Sequence, residues 1–155
     1  MKTIIISPYS RKLRNGQKDN PKNYPFWRDV VKQLKEEGYN ILQVGVEGEN
    51  KIEGVDEVKY NLPLKELAEE IKKCHTWISV DNFFQHISNY LQKKGIVLFG
   101  QSDPNIFGHI GNINLLKDRK YLRGKQFDIW EATQYKKEVF VAPIQVLKAI
   151  KQIGG

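Results

Sequence analysis

Short runs of aliphatic and β-branched residues alternate with longer amphipathic runs along most of this 155-residue chain. The run at 3–7 is typical of a buried strand, whereas apolar residues between 26 and 34 recur at the spacing of one helix face. Repeated strand–helix alternation predicts a parallel sheet covered by helices on both faces, an α/β fold. The length suits a single domain spanning 1–155.

The pattern predicts strands at 3–7, 40–46, 58–61, 76–80, 96–99 and 113–116, with the last at an edge of the sheet. It predicts helices at 25–37, 64–73, 82–93 and 143–153. We expect Gly38 and Gly95 to end the first and third helices, and Leu64 to face the core.

The formal net charge of +7 favours anionic partners, such as phosphorylated small molecules or nucleic acid. Much of this charge lies in three clusters, at 11–14, 117–125 and 136–137. The alternative for each cluster is a solvated surface that keeps the protein soluble. We expect no nucleic-acid binding from the stretch 117–125, which equally suits a solvated loop.

The single cysteine, Cys74, excludes an internal disulfide framework and fits a reducing cytoplasm. The sequence carries no secretory signal pattern and no apolar run near the roughly 20 residues of a membrane span. We therefore expect a cytoplasmic protein. Cys74 itself is expected to be a buried structural thiol, and Trp27, Trp77 and Trp130 to be packing residues.

Four polar loops follow predicted strands, at 7–22, 45–49, 81–86 and 100–104. Because ligands of parallel sheets bind outside the carboxyl ends of the strands, these loops are expected to converge on one crevice. The first loop is strongly basic, which suits a phosphate or pyrophosphate. It lacks the Walker spacing, and the glycine fingerprint of dinucleotide oxidoreductases is also missing.

Asp81 lies where a strand is expected to end and a helix to begin, and His86 follows it within the helix. Amides at a helix start attract phosphate, and His86 is placed to donate to a phosphate oxygen from the same end. The alternative is that Asp81 is only an N-cap and His86 a packed helix residue. The histidines show no spacing typical of a metal site, so no metal cofactor is expected.

A second candidate loop reads Phe-Gly-Gln-Ser-Asp-Pro at 99–104. A glycine at a strand end allows backbone to approach a ligand, which makes Gly100, Ser102 and Asp103 candidate site residues. The alternative is an ordinary turn.

Taken in order, these pieces resemble the C-terminal domain of the heptosyltransferase family, glycosyltransferase family 9. The sequence Lys-Asn-Tyr-Pro at 22–25 is similar to the start of the family's first helix, and Leu-Lys-Glu-Leu-Ala at 64–68 to a later one. The run 81–86 resembles the family's Asp-[Ser/Thr]-Gly-x-x-His, and 99–104 its Phe-Gly-x-[Ser/Thr]-x-Pro. The tail from Ala142 to Ile150 looks like the closing helix. The resemblance implies a Rossmann-like domain, the nucleotide-sugar half of a GT-B glycosyltransferase.

In that family this half binds a nucleoside diphosphate sugar, typically ADP-heptose. The resemblance implies that Lys22 neutralises phosphate charge with Ser10 nearby, that Glu47 or Glu49 holds the ribose, and that Leu62 lines the base pocket. Four residues would meet the sugar and diphosphate, with the first and last also candidate catalytic groups: Asp81, Asn82, Phe83 and His86.

Two departures from the family bear on function. The family's glycine is Phe83 and its hydroxyl residue is Asn82; a side chain at the glycine position restricts how closely a diphosphate approaches. The family's N-terminal acceptor domain is expected to be absent, so transfer would need a homo-oligomer or a partner chain. The competing hypotheses are a glycosyltransferase-like donor-binding protein, a non-catalytic module that binds a nucleotide or phosphorylated ligand, and a nucleic-acid-associated protein.

Overall fold

Six parallel strands form the centre of the structure, a computed structural model that describes residues 1–11, 19–127 and 133–154. The strands are β1 (Thr3–Ser7), β2 (Asn40–Gly45), β3 (Glu57–Tyr60), β4 (Thr76–Val80), β5 (Ile96–Phe99) and β6 (Ile113–Leu116). Their order across the sheet is β3-β2-β1-β4-β5-β6, and each neighbouring pair is parallel. The predicted α/β sheet is therefore confirmed.

Helices cover both faces of this sheet. They are α1 (Trp27–Glu36), α2 (Leu64–Lys73), α3 (Phe83–Tyr90), α4 (Pro104–Phe107) and α5 (Pro143–Gly154), with 3₁₀ turns at Arg119–Tyr121 and Lys137–Val139. Alternate residues of β1 enter two cores: Ile4 and Ile6 pack towards α1 and α5, whereas Ile5 packs with residues of α2 and α3. This is the alternation that a strand buried on both sides requires.

The order in which strands are added to the sheet reverses at the boundary between β1 and β4, which lie side by side. After β1 the strands add outwards on one side as β2 and β3, and β4 then starts the other side beside β1. Such a reversal leaves a crevice at the carboxyl edge, because the two adjoining connections diverge to opposite faces. The architecture is Rossmann-like, as the sequence resemblance implies.

Several predicted boundaries agree with the structure and others need correction. The strands at 3–7, 76–80, 96–99 and 113–116 match, and Gly38 follows the end of α1 with φ of +92°. Helix α1 begins at Trp27 rather than residue 25, because Phe26 is its N-cap, with a non-helical φ of −108° and ψ of 29°. Leu64 does not face the core: it is 63% exposed, as the first residue of α2.

Helix α3 is shorter than predicted, and Gly95 does not end it. The helix ends at Tyr90, and Gln92 takes the left-handed conformation with φ of +58°. Gly95 is required for packing instead, since a Cβ there would overlap the Trp77 ring. Helix α4, which the sequence analysis did not predict, begins with Pro104, the last residue of the predicted loop. In the described ranges, none of the helices combines the length and apolarity that a membrane crossing requires.

Candidate functional site

A groove of about 1020 Å³ lies at the carboxyl edge of the sheet, over the point where β1 and β4 adjoin. Its walls come from the segments after β1, β2, β3 and β4, so three of the four predicted loops do converge. The structure brings nine of the predicted site residues to this groove: Ser10, Lys22, Glu47, Glu49, Leu62, Asp81, Asn82, Phe83 and His86.

Asp81 is held from two sides at the end of β4. The buried Gln85 amide donates to its Oδ1 at 2.7 Å, and Lys22 Nζ lies 3.2 Å from its Oδ2. A buried carboxylate requires such partners, because desolvating an unpaired charge is costly. The pair in turn fixes the Lys22 ammonium group where β4 meets α3, on the wall of the groove.

Asn82, rather than Asp81, caps α3. Its Oδ1 accepts a hydrogen bond from the Phe84 amide at 3.0 Å, so the alternative in which Asp81 is the cap is wrong. Its Nδ2 donates to Ser7 Oγ at 3.0 Å and to the Tyr9 carbonyl oxygen at 3.1 Å. One side chain thus joins the end of β1 to the start of α3, at the floor of the groove.

Phe83, at the family's glycine position, lies at the groove with 71% of its surface exposed. The ring contributes nothing to the core on either face of the sheet. Together with the exposed Leu64 and Val46, it makes part of the groove rim apolar. The groove is therefore two-sided, basic near Lys22 and apolar near α2.

His86 lines the groove and contacts a second histidine that the sequence reasoning missed. Its Nδ1 lies 2.8 Å from Nε2 of His109, in the loop between α4 and β6. Burial, followed by the neighbouring His109, lowers the pKa of His86; Lys22 acts in the same direction and Asp81 opposes it. No local spacing signals this pair, because the two residues lie 23 positions apart in separate elements.

The acidic turn after β2 is partly occupied by its own hydrogen bonds. Glu49 Oε1 accepts from the Val46 amide at 2.9 Å, and Tyr60 donates to the Glu49 carbonyl oxygen at 2.7 Å. Glu47 is exposed, and its Oε2 lies 3.5 Å from Asn61 Nδ2. Of the two acids, Glu47 has the carboxylate that is less engaged in shaping the turn.

The loop after β5 is engaged by a later segment, residues 119–126, which we term the strap. Asp103 accepts two hydrogen bonds from Arg119, at 3.1 and 2.8 Å, and this guanidinium lowers the pKa of Asp103. Arg123 donates to Ser102 Oγ at 2.6 Å and Gln126 accepts from the Asp103 amide at 2.8 Å. The polar groups of Ser102 and Asp103 are therefore hydrogen-bonded to the strap.

The predicted loop residues Gly100, Ser102 and Asp103 therefore do not line the groove. Gly100 is packed against Phe140, where a Cβ would lie 2.8 Å from ring carbon Cε1, so the glycine permits core packing. Gly100 and Ser102 instead border a cavity of about 10 Å³ that Lys22 and Asp81 share. That volume is about the size of one water molecule.

The remaining predictions fall on core residues or outside the described ranges. Trp27 and Trp77 are buried, and burial raises the pKa of the Cys74 thiol to about 11, as expected for a structural cysteine. Within the described residues no three His, Cys, Asp or Glu side chains cluster as metal ligands would. Residues 12–18, with three of the predicted basic side chains, and Trp130 lie outside the described residues.

A groove at the switch point of a Rossmann-like sheet lies where α/β domains of this class bind their ligands. The model of glycosyltransferase family 9 (heptosyltransferase) matches residues 2–116, and the chain belongs to this family. No curated protein matches the chain.

Solved structures of heptosyltransferases share the fold. The alignment with the family 9 glycosyl transferase of Veillonella parvula has a TM-score of 0.73 and 21% identity, and covers 98% of this chain and 45% of that one. The ADP-heptose LPS heptosyltransferase II of E. coli aligns with a TM-score of 0.68 and 16% identity, and the alignment covers 98% of this chain and 46% of that one. TibC of enterotoxigenic E. coli is an iron-containing dodecamer whose structure is in complex with ADP-D-beta-D-heptose. It aligns with a TM-score of 0.68 and 14% identity, and the alignment covers 98% of this chain and 44% of that one. The chain thus spans about half the length of these relatives.

Proposed function

We propose that the groove binds a nucleoside diphosphate sugar, with ADP as the nucleotide, and that the protein is a glycosyltransferase-like donor-binding protein. The observation that carries this proposal is the convergence of Lys22, His86 and the first turn of α3 on one wall of the groove. An ammonium group, an imidazole and helix amides are all groups that bind diphosphate oxygens. No metal is part of the proposal.

The other parts of the ligand fit the other parts of the groove. The apolar side around Leu62 and Leu67 suits a nucleobase, and Glu47 is available to accept from ribose hydroxyls. Ser10, in the basic segment after β1, adds a hydroxyl near the phosphates. Family membership supports this placement of the nucleotide in the groove. The E. coli relative is named as an ADP-heptose enzyme, and TibC is in complex with ADP-D-beta-D-heptose.

Transfer of the sugar would place two demands on the site. The leaving diphosphate must be stabilised, which Lys22, His86 and the α3 amides are suited to do. A base must also act on the acceptor hydroxyl. We propose that a partner chain, a second copy of this chain or a further domain supplies the acceptor side. The buried, unpaired Cys74 fits a cytoplasmic location, which belongs to the same proposal.

One observation favours a second function, a module that binds the nucleotide without transferring sugar. Phe83 lies exposed at the position where the family has glycine, beside the expected place of the diphosphate and sugar. Replacement of Phe83 by glycine separates the two functions. A gain in affinity for an ADP-sugar relative to ADP supports the module, because it means that the ring excludes the sugar. An unchanged ratio supports donor binding in the native protein.

The main test is calorimetric titration with ADP, UDP, GDP and an ADP-sugar. We expect selective binding of ADP and the ADP-sugar, with the dissociation constant raised about tenfold in His86→Ala, which is about 1.4 kcal/mol. Tyr90→Ala is the matched control, because Tyr90 is an exposed ring on the same helix outside the groove. Equal binding of all three nucleotides, or none, contradicts the proposal.

A further inference from the structure

The two histidines of the pair differ in what they face. His86 lines the groove through α3, whereas His109 lies in the loop that leads to β6 and contacts His86 from outside. Their rings meet edge to face, with centroids 5.0 Å apart and an interplanar angle of 84°. Because Nδ1 of His86 is taken by His109, Nε2 is the ring nitrogen left to meet a ligand.

The backbone around His109 is held in place. Its carbonyl oxygen accepts from the Asn114 side chain at 3.0 Å and from the Asn112 amide at 3.1 Å. Gly108 lets the loop close against α4, since a Cβ there would lie 2.7 Å from the Pro104 carbonyl oxygen. His109 is therefore presented to His86 by a fixed loop rather than by a chance surface contact.

The direction of the hydrogen bond decides what His86 can do. Burial, His109 and Lys22 lower the pKa of His86 and Asp81 alone opposes them, so the ring is neutral near pH 7 and carries one proton. If that proton is on Nδ1, Nε2 can only accept, which is useless towards a phosphate oxygen. If the proton is on Nε2, His86 donates to phosphate and Nδ1 must accept from His109.

Building on the proposed function, we propose that His109 is a positioning residue. It donates through Nε2–H to Nδ1 of His86 and keeps the proton of neutral His86 on Nε2, aimed at a phosphate oxygen of the bound nucleotide. The group that touches the ligand is His86, and His109 acts only through it. No proton is transferred in this arrangement.

Nitrogen NMR of the ¹⁵N-labelled full chain at pH 8, without ligand, tests the direction of the bond. The chemical shifts of a ring distinguish a protonated from an unprotonated nitrogen. We expect protonated Nε2 and unprotonated Nδ1 for His86 in the wild-type protein. A proton on Nδ1 of His86 would overturn the proposal.

Two variants test the consequence, with ADP as the probe. In His109→Ala we expect the pKa of His86 to rise, because the neighbouring ring that lowers it is lost, and the ADP dissociation constant at pH 8 to rise about fivefold. In His109→Gln the side-chain amide still donates, and ADP affinity should stay within twofold of wild type. Unchanged ADP affinity and unchanged His86 pKa in His109→Ala would overturn the proposal.

Failure of the proposed function gives a different result. If the wild-type protein binds no ADP, the proposed function fails and the phosphate-directed role of His109 fails with it. The NMR spectrum of the free protein still decides the direction of the bond between the two rings. If ADP binds but the tautomer is the opposite one, only the role of His109 is overturned.

Discussion

The loops after β4 and β5 look alike in sequence and lie in opposite environments. Each places an aspartate near the start of a helix, Asp81 before α3 and Asp103 before α4, and each aspartate pairs with a cation. Asp81 and Lys22 lie on the wall of the groove. Asp103 and Arg119 lie away from it, where the strap covers the loop.

An acid at the end of a strand therefore indicates no function until its partner is known. Lys22 comes from the loop after β1, which adjoins β4 at the switch point, so its pairing with Asp81 leaves the ammonium beside the groove. Arg119 comes from the strap, so its pairing with Asp103 holds the strap over the loop that follows β5. An ion pair on the groove wall and an ion pair that holds the strap therefore follow adjacent strands of the sheet at equivalent positions.

Removal of the Asp103 side chain should change the protein more than any other substitution proposed below. Asp103→Ala removes the cap on the Asn105 amide and both hydrogen bonds from Arg119. We therefore expect the free energy of unfolding to fall by about 3 kcal/mol. ADP affinity should change by less than twofold. Urea unfolding and calorimetry measure the two quantities.

A matched control for that variant is Asp118→Ala. Asp118 caps the 3₁₀ turn through the Lys120 amide at an exposed position, and its loss should cost about 1 kcal/mol or less. A tenfold loss of ADP affinity in Asp103→Ala, with stability intact, would place the ligand at the loop after β5 instead.

The next effect compares the two cations at equal change of net charge. Lys22→Met should weaken ADP binding by about 10- to 30-fold, since a charge-assisted bond to phosphate is worth about 1.5 to 2 kcal/mol. Arg119→Met should leave ADP affinity unchanged and lower the unfolding free energy, because the Asp103 carboxylate loses its partner. Equal weakening of ADP binding by both variants would mean attraction by overall charge rather than a site.

Acid should remove the contribution of Asp103. Arg119 holds the pKa of Asp103 below the ordinary 3.8, so the ionised form stabilises the folded state above that pH, and the stabilisation is lost as pH falls through the lower folded-state pKa. The stability difference between wild type and Asp103→Asn should be constant from about pH 8 to 5 and shrink below about pH 4. A difference that persists unchanged to about pH 2 would show that the charge of Asp103 does not matter.

The smallest effect compares one serine from each region. Ser10→Ala should raise the ADP dissociation constant by about two- to fourfold, since one neutral hydrogen bond is worth about 0.5 to 1 kcal/mol. Ser102→Ala should leave ADP binding alone and cost about 1 kcal/mol of stability, through the lost bond to Arg123. Reversal of these two outcomes would exchange the roles of the two regions.

Much of the fold follows from local patterns in the sequence. The β-branched runs at β1, β4 and β5 define buried strands with the bounds observed, because both faces of a central parallel strand must be apolar. The order of the loops along the chain then predicts the crevice. Leu64 has the helical spacing of a core residue, but its side chain is exposed at the rim of the groove.

The strap and the histidine pair could not be predicted in this way. Arg123 reaches Ser102 across 21 positions, and His109 reaches His86 across 23 positions, without any periodic signal between them. Both contacts depend on how α4 and the loops beyond it fold back over the sheet. The sequence identifies Asp103 and Asp81 as alike, and only their long-range partners separate them.

Amide NMR of the labelled full chain during ADP titration tests most directly whether the nucleotide binds at β4 and α3. We predict that the largest shift changes fall on the amides of Asn82, Phe83 and His86 and on residues near Lys22, while those of Ser102, Asp103 and Arg119 barely move. Changes centred on Ser102 and Asp103, or no changes at saturating ADP, would contradict the assignment of the groove as the nucleotide site.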